Sequence, residues 1–411
     1  MATASYSSYN APPEINRVQL PALLIGVVAS VLLIIGIFVP PQFGGGLAQF
    51  FHSYLIGYIF WTGIALGCLA ILMLQYVANG AWGLMSRRVL ESGSRTIPLM
   101  LILFMPVILG LHQLYEWTDK ARVESDEVLV QKEPYLNIPF FIGRTLIYFL
   151  AWLALMYFLN KWSGEQDRTA DITLAGKTRK LSGPGIVAFI LTVTFASVDW
   201  VMSLDPHWFS TIFGLIFTVS WALSALSFVI VVMMLLTMRE PMNHAVTAKH
   251  FHDLGKLLLA LVMLWAYLSF SQFLIIWSGN IPEETKWYLH RLKGGWEFIG
   301  LAIALLHFAL PFLLLLSRSL KRDPRKLAAV AVFMLLMRLV DLFWLIAPEY
   351  GSGKDLPYGH FHISWMDVVA PIGIGGLWLW WFAWQLKKRP LLPYNDPKLE
   401  SALEHGRHGG H

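Results

Sequence analysis

Ten stretches of roughly twenty mainly apolar residues follow one another along this chain, separated by short polar connections. A helix needs about 20 such residues to cross the hydrocarbon core of a bilayer. The stretches fall at about 18–39, 54–77, 97–115, 139–159, 184–203, 212–236, 256–277, 296–316, 327–347 and 365–386. None is followed by a long soluble segment, so consecutive helices must be antiparallel neighbours. The pattern predicts an all-α polytopic membrane protein of about ten transmembrane helices.

Composition agrees with that reading. Of 411 residues, 56% are hydrophobic and only 14% are charged. A soluble domain carries about 25% charged residues. A chain of this length could bury two or three soluble cores, but it lacks the charges to cover them. The net charge of +5 does not signal nucleic acid, because the basic residues come in short bursts between apolar runs. Cys68 is the single cysteine and lies in an apolar run, so it reads as a small buried hydrophobe and excludes an internal disulfide. The first 17 residues carry Arg17 but no basic cluster of the kind that opens a signal peptide, and the apolar run after them reads as a retained first span.

The positions of Lys and Arg predict orientation, since cytoplasmic connections carry the excess of positive charge. Arg87, Arg88 and Arg95 lie in the second connection; Lys161, Arg168, Lys177, Arg179 and Lys180 in the fourth; Arg239, Lys249 and Lys256 in the sixth. Arg318, Lys321, Arg322, Arg325 and Lys326 lie in the eighth, and Lys387, Lys388 and Arg389 follow the last span. The first connection is uncharged and the third is acid-rich. This alternation predicts both termini inside: a cytoplasmic tail at 1–17, the membrane domain at 18–386 and a second cytoplasmic tail at 387–411. Several tryptophans, among them Trp82, Trp117, Trp162 and Trp208, fall near predicted helix ends, where amphipathic rings favour the headgroup zone. The terminal HGRHGGH, His405–His411, reads as an exposed tail.

Charge inside a membrane span is costly, so each ionisable residue there is a functional candidate. Arg338 and Asp341 lie three residues apart on one face of the ninth span, where they either neutralise each other or carry protons. His112 and His307 are the histidines within spans. Toward the outer face come Glu116, Arg144, Asp199, Asp205, His207, Glu297 and Asp367. Singly these read as caps or interfacial groups; together they suggest a hydrated funnel. Tyr267 lies in the outer half of the seventh span, while His250, His252, Asp253 and Lys256 stand at its inner mouth. Ser220, Ser224 and Ser227 form a stripe suited to close helix packing.

No C-x-x-C-H, H-E-x-x-H, Walker or dinucleotide motif occurs, and His112 and His307 lie at different depths, a poor pair for haem. No metal site is predicted, and any redox centre must belong to partners.

Two segments carry a specific resemblance. One runs Ala196-Ser-Val-Asp-Trp-Val-Met-Ser-Leu-Asp-Pro-His-Trp-Phe-Ser-Thr-Ile-Phe-Gly214. The other runs Trp265-Ala-Tyr-Leu-Ser-Phe-Ser-Gln-Phe-Leu-Ile-Ile-Trp-Ser-Gly-Asn-Ile-Pro-Glu-Glu284, with Trp287-Tyr-Leu-His-Arg291 and Gly295-Trp296 beyond it. These resemble the ActF-type membrane subunits of bacterial alternative complex III, a quinol:electron acceptor oxidoreductase. The resemblance extends over essentially the whole chain. ActF-type chains are similar to polysulfide-reductase (NrfD-type) membrane subunits, which implies two four-helix bundles plus one flanking helix at each end of the chain.

The resemblance further implies the bacterial cytoplasmic membrane and a set of partners. These are a larger homologous membrane subunit, an iron–sulfur subunit, haem c subunits, small membrane subunits and the lipid bilayer. Haem c and iron–sulfur clusters would sit in those partners, with none bound by this chain and with a quinone or lipid as its candidate ligand.

Three functions are then open: a proton-conducting or quinone-housing subunit, a scaffold of the same complex, and a stand-alone secondary transporter. For the first, a proton route would use Arg338, Asp341, His307, Asp199, Asp205, His207, Asp253, Lys256, Tyr267 and Asp367. A quinone site or outer funnel would be lined by Arg144, Glu116, Glu297 and His112.

Overall fold

The computed structural model describes residues 9–350 and 360–407, and the side chains of 405–407 are not among the groups described. Among the described residues the chain is all-helical, with ten helices long and apolar enough to cross a membrane. Within lipid every backbone polar group must find a partner inside its own segment, so an apolar chain without closed sheets has only the helix available.

The first bundle begins with α1 (Ile15–Ile35) beside it and α2 (Leu47–Ala78) at its centre. It continues through α3 (Ala81–Ser94), α4 (Ile97–Ile102), α5 (Met105–Leu109) and α6 (Leu111–Leu114). Two short helices, α7 (Lys120–Ser125) and α8 (Glu127–Lys132), cross the connection to α9 (Ile138–Thr169) and α10 (Thr173–Trp200). The second bundle holds α11 (Phe213–Thr237), the short α12 (Met242–Ala245) and α13 (Ala248–Gly279). After these come α14 (Pro282–Arg291), α15 (Trp296–Ala302), α16 (Leu310–Leu316), α17 (Arg318–Arg322) and α18 (Pro324–Ile346). The last elements are α19 (Trp365–Leu386), which packs along α1 and against α2, and α20 (Leu399–Arg407).

Helix ends follow local chemistry. Asn137 caps α9 by accepting from the Phe140 N–H at 2.9 Å, and Ser364 with Asp367 forms a capping box on α19. Asp323 caps α18 and is followed by Pro324, where the missing N–H costs nothing. Asn79 and Asn280 close α2 and α13 in left-handed geometry.

Two spans depart from regular winding. The third, expected at 97–115, is split into α4, α5 and α6, because Pro98 and Pro106 each lack an N–H and Gly110 is a weak helix former. The amphipathic α3 supplies the rest of that crossing. In the eighth, residues 303–309 are wound as π-helix. Pro311 cannot donate to the His307 carbonyl and its ring would clash there, and the wider winding accommodates both effects.

The bundles meet where α2 crosses α11. A Cβ on Gly67 would stand 2.1 Å from the Trp221 carbonyl oxygen, so only glycine permits this approach. Gly26 and Gly376 play the same part between α1 and α19. Large apolar side chains are exposed on the perimeter, including Leu24, Val28, Leu150 and Phe270, as lipid contact requires.

The segments that precede α1 and follow α19 meet at one end of the bundle, where the Leu391 N–H donates to the Tyr9 carbonyl at 2.8 Å. That end is the terminal face; the other is the far face. The segment after α19 does not hang free as a tail. Leu391 and Leu392 are buried, and Asn395, Asp396 and Ala402 reach α9, α3 and α13. Residues 408–411 of the histidine-bearing tail lie outside the described residues.

Candidate functional site

Among the described residues, most ionisable groups buried in the bundle fall into four constellations. In the ninth span, Arg338 Nη1 donates to Asp341 Oδ2 on the same face of α18, and both residues are buried. The guanidinium lies over the Phe217 ring at 5.6 Å. His307, in the π-wound segment, is fully buried with its ring 4.2 Å from that of Trp265 and within electrostatic reach of Arg338. Neither nitrogen of His307 has a partner among the described residues, nor do Arg338 Nε and Nη2. The Ser220 hydroxyl, one turn along α11 from Phe217, also has none. Its neighbours Ser224 and Ser227 bond back to carbonyls of their own helix. Buried polar atoms of this kind are sites where water binds.

Near the far face, Asp199 is fully buried and accepts a two-pronged bond from Arg144 Nε and Nη2, 2.9 Å each, plus the Tyr148 hydroxyl at 2.7 Å. Arg144 also stacks on Tyr135 at 3.8 Å and donates to its carbonyl. Arg291 is bound by Glu349 at 2.5 Å and by carbonyls of Trp287, Trp344 and Leu345.

The fourth constellation lies near the terminal face. Arg88 donates to Glu91 at 2.7 Å, to Ser163 at 3.0 Å and to both Asp167 oxygens at 2.5 Å. Arg389 bonds Glu91 at 3.2 Å and the Asn160 carbonyl at 2.8 Å, while Arg87 pairs with Asp396 at 2.7 Å.

A groove of about 620 Å³ opens beside Asp341, between α13, α14, the eighth span and α18. Its walls are apolar, including Met263, Phe270 and Phe308. Its polar end is a relay in which Ser210 donates to Gln272 at 2.7 Å and Gln272 donates to Tyr288 at 3.1 Å. Burial pushes the Tyr288 phenol up to about 12, so it stays protonated at physiological pH.

No protein-family model and no curated protein matches this chain.

The candidates read from the sequence are therefore dispersed. Arg338, Asp341 and His307 come together; Arg144 and Asp199 form one ion pair. Asp205 and His207 lie in the loop after α10, where His207 Nε2 meets Asp126 at 2.7 Å and its backbone N–H donates to Asp205. Desolvation raises the Asp126 carboxyl, but the His207 bond together with the Leu129 and Val128 N–H bonds holds it below its ordinary range.

Asp253 and Lys256 pair at 3.3 Å in the first turns of α13, toward the terminal face and away from the depth of Asp341 on α18. Asp367 is a cap, bonded by Ser53 at 2.6 Å, Gln49 at 3.0 Å and the Ser364 N–H at 2.8 Å. Glu297 accepts the Gly295 N–H at 2.9 Å.

Three expectations need correction. Tyr267 is 67% exposed on the lipid-facing lip of the groove, so it stands outside the buried cluster. His112 is exposed, and Glu116 is tied to Arg122 at the surface. Among the described residues the far-face charges do not converge on one funnel: Glu116 pairs with Arg122, Arg144 with Asp199 and His207 with Asp126.

Sequence reasoning missed Glu91 and Asp167, whose residues fell in segments taken as connections, and Glu349, which lay beyond the predicted ninth span. The Arg88–Glu91 spacing, three residues apart, was the available signal.

Proposed function

We propose that this multi-pass membrane protein is a proton-handling subunit of a quinol-oxidising electron-transfer complex in the bacterial cytoplasmic membrane. The partners would be those of the resembled complex: a larger homologous membrane subunit, an iron–sulfur subunit, haem c subunits and small membrane subunits. Redox centres would belong to them. The observation that carries the reading is the Arg338–Asp341–His307 cluster. It combines a buried carboxylate, a buried imidazole and five polar atoms, Ser220 included, that have no protein partner among the described residues. A purely structural ion pair would be expected to have its remaining donors satisfied. Groups that exchange protons with bound water need such unfilled positions, and intramembrane carboxylates and histidines serve proton relays.

Replacing Asp341 with Asn in the intact complex tests this. Quinol turnover coupled to proton release should fall by roughly a hundredfold if the carboxylate transfers protons. Unchanged turnover with unchanged proton release would remove Asp341 from any such route.

A scaffold role is the second reading, favoured by the Arg88 network, whose carboxylates are all bonded. Under it, neutralising Asp341 would lower the amount of assembled complex and leave the turnover of what assembles unaltered.

A further inference from the structure

Among the described residues the buried arginines each face a carboxylate: Arg87, Arg88, Arg144, Arg291 and Arg338 are all paired. Lys321 on α17 breaks that rule. It is 7% exposed, yet its ammonium has no carboxylate and no hydrogen-bond acceptor among the described residues. A charge taken out of water without a counter-ion is costly, and a lysine on a short polar connection has the length to reach solvent instead. The fold holds it down. Gly255 lies under its stem on α13, where a Cβ would stand 2.7 Å from Lys321 Cγ and 3.1 Å from its Cβ and Cδ. The bare backbone lets the stem lie close. Nζ is not among the enclosed unpartnered atoms, so the tip of the side chain stays open.

That open tip meets other cations. Arg318 stands three residues earlier on the same face of α17, is exposed and has no ion pair among the described residues. Lys256, next to Gly255, lies within electrostatic reach of Lys321, and His252 lies within reach of all three. Burial and the Lys256 ammonium push the Lys321 ammonium below the ordinary lysine range. Of the nearby carboxylates, Asp253 is bonded to Lys256 at 3.3 Å, and Asp323 caps α18 and pairs with Lys326. Like charges at such spacings repel, so the cluster lacks a negative charge at its centre.

We propose that Lys321, Arg318 and Lys256 form a site for a small phosphate-type oxyanion taken up from the aqueous phase. A tetrahedral dianion offers acceptor oxygens to ammonium and guanidinium donors at once, through charge-assisted bonds. Its charge also offsets the repulsion among the three cations. The surroundings favour a soluble anion over one carried by a lipid. Ser317, Ser319, His252 and Asp253 flank the cluster within one turn, and α17 lies outside the long apolar segments. The acyl chains of a headgroup phosphate would have to cross those polar side chains. An anion held there braces the connection between the spans that carry His307 and Asp341 against α13. The inference stands apart from the proton reading and uses neither Asp341 nor His307.

The test is equilibrium dialysis of radiolabelled inorganic phosphate against the intact complex in detergent, with chloride holding the ionic strength constant. The native complex should bind phosphate saturably. Lys321→Met keeps an unbranched stem over Gly255 but removes the charge, and should weaken that binding about tenfold or more. Arg318→Gln, at an exposed position, should weaken it too and carries the comparison if the methionine disturbs folding. Arg325→Gln removes an exposed cation outside the cluster and should leave binding at the native level. Without phosphate, Lys321→Met should melt no lower than the native protein, since an uncompensated charge has gone. Phosphate should raise the melting temperature of the native protein and not that of Lys321→Met. Binding that does not saturate, an equal loss in Arg325→Gln, or full binding by both cluster variants would overturn the proposal. Displacement of phosphate by dioleoylphosphatidylglycerol at matched phosphate concentration would assign the cluster to a lipid headgroup and overturn it as well.

Discussion

Two arginine–carboxylate pairs have the same spacing on a helix and opposite surroundings. Arg88 and Glu91 on α3, and Arg338 and Asp341 on α18, are each three residues apart and buried. The first is one link in a network with Asp167, Ser163, Arg389 and the Asn160 carbonyl, which pins the segment after α19 onto α3 and α9. The second stands almost alone, with two guanidinium nitrogens and both nitrogens of the adjacent His307 unpartnered among the described residues. Desolvation of a buried pair is offset only when its remaining hydrogen-bonding capacity is filled. The α3 pair comes nearer that condition, with Arg88 Nε its one unpartnered side-chain nitrogen among the described residues, and acts as a tie. The α18 pair does not, and it borders the groove.

Breaking the tie should have the largest effect. Glu91→Gln leaves Arg88 and Arg389 without their shared carboxylate and should destabilise the protein by about 3–5 kcal/mol. Yield and melting temperature of the complex measure this, and a native-like yield would end the distinction between the two pairs.

Removing both partners sharpens it further. Arg338→Met with Asp341→Leu should be near neutral for stability, within about 1–2 kcal/mol, while proton release is lost. The matching double change at Arg88 and Glu91 should still destabilise, because Asp167 loses its two-pronged bond from Arg88 and Arg389 its bond to Glu91. Melting curves of the two double variants decide between these outcomes.

A smaller effect is expected at the far face. Arg144→Lys keeps the charge opposite Asp199 but forfeits the two-pronged bond, at a cost of about 1–3 kcal/mol. A melting temperature equal to that of the native protein would show that the fork geometry is unimportant.

The smallest concerns the surface pair of Asp126 and His207. The folded-state pKa of Asp126 is depressed, so its contribution is present above the unfolded carboxylate value and is lost as pH falls through the folded one. Because the pair is exposed, the contribution should stay below about 1 kcal/mol. Asp126→Asn should therefore match the native melting temperature in acid and fall slightly below it near neutrality.

The spans were legible because lipid demands long apolar segments, a requirement each stretch expresses locally. The changes of winding fall beside Pro98, Pro106 and Pro311, whose missing N–H is a local property of the chain. The Arg338–Asp341 pair was legible for a related reason: its two members share one helix. Arg144 and Asp199 were visible only as separate residues, since nothing in a sequence states that α9 and α10 bring positions 55 residues apart into contact. Arg87, Arg88 and Arg95 were read as markers of a cytoplasmic loop, yet α3 folds them into the bundle against Glu91, Gln385 and Asp396. Their basic character served both readings, and local composition could not separate them.

The amino-acid sequence by itself determined the number of long apolar helices, the helical class and the Arg338–Asp341 pair within the ninth of them. Those properties follow from hydrophobic length and from the cost of desolvating a charge, which act residue by residue. Tertiary structure alone decided which charges are satisfied. The denser bonding of the Arg88 network, the unfilled nitrogens of Arg338 and His307, and the groove beside Asp341 all depend on which helices meet and at what depth. Hydrogen bonds reach only about 3 Å, so a shift of one helical turn would exchange a tie for an open site.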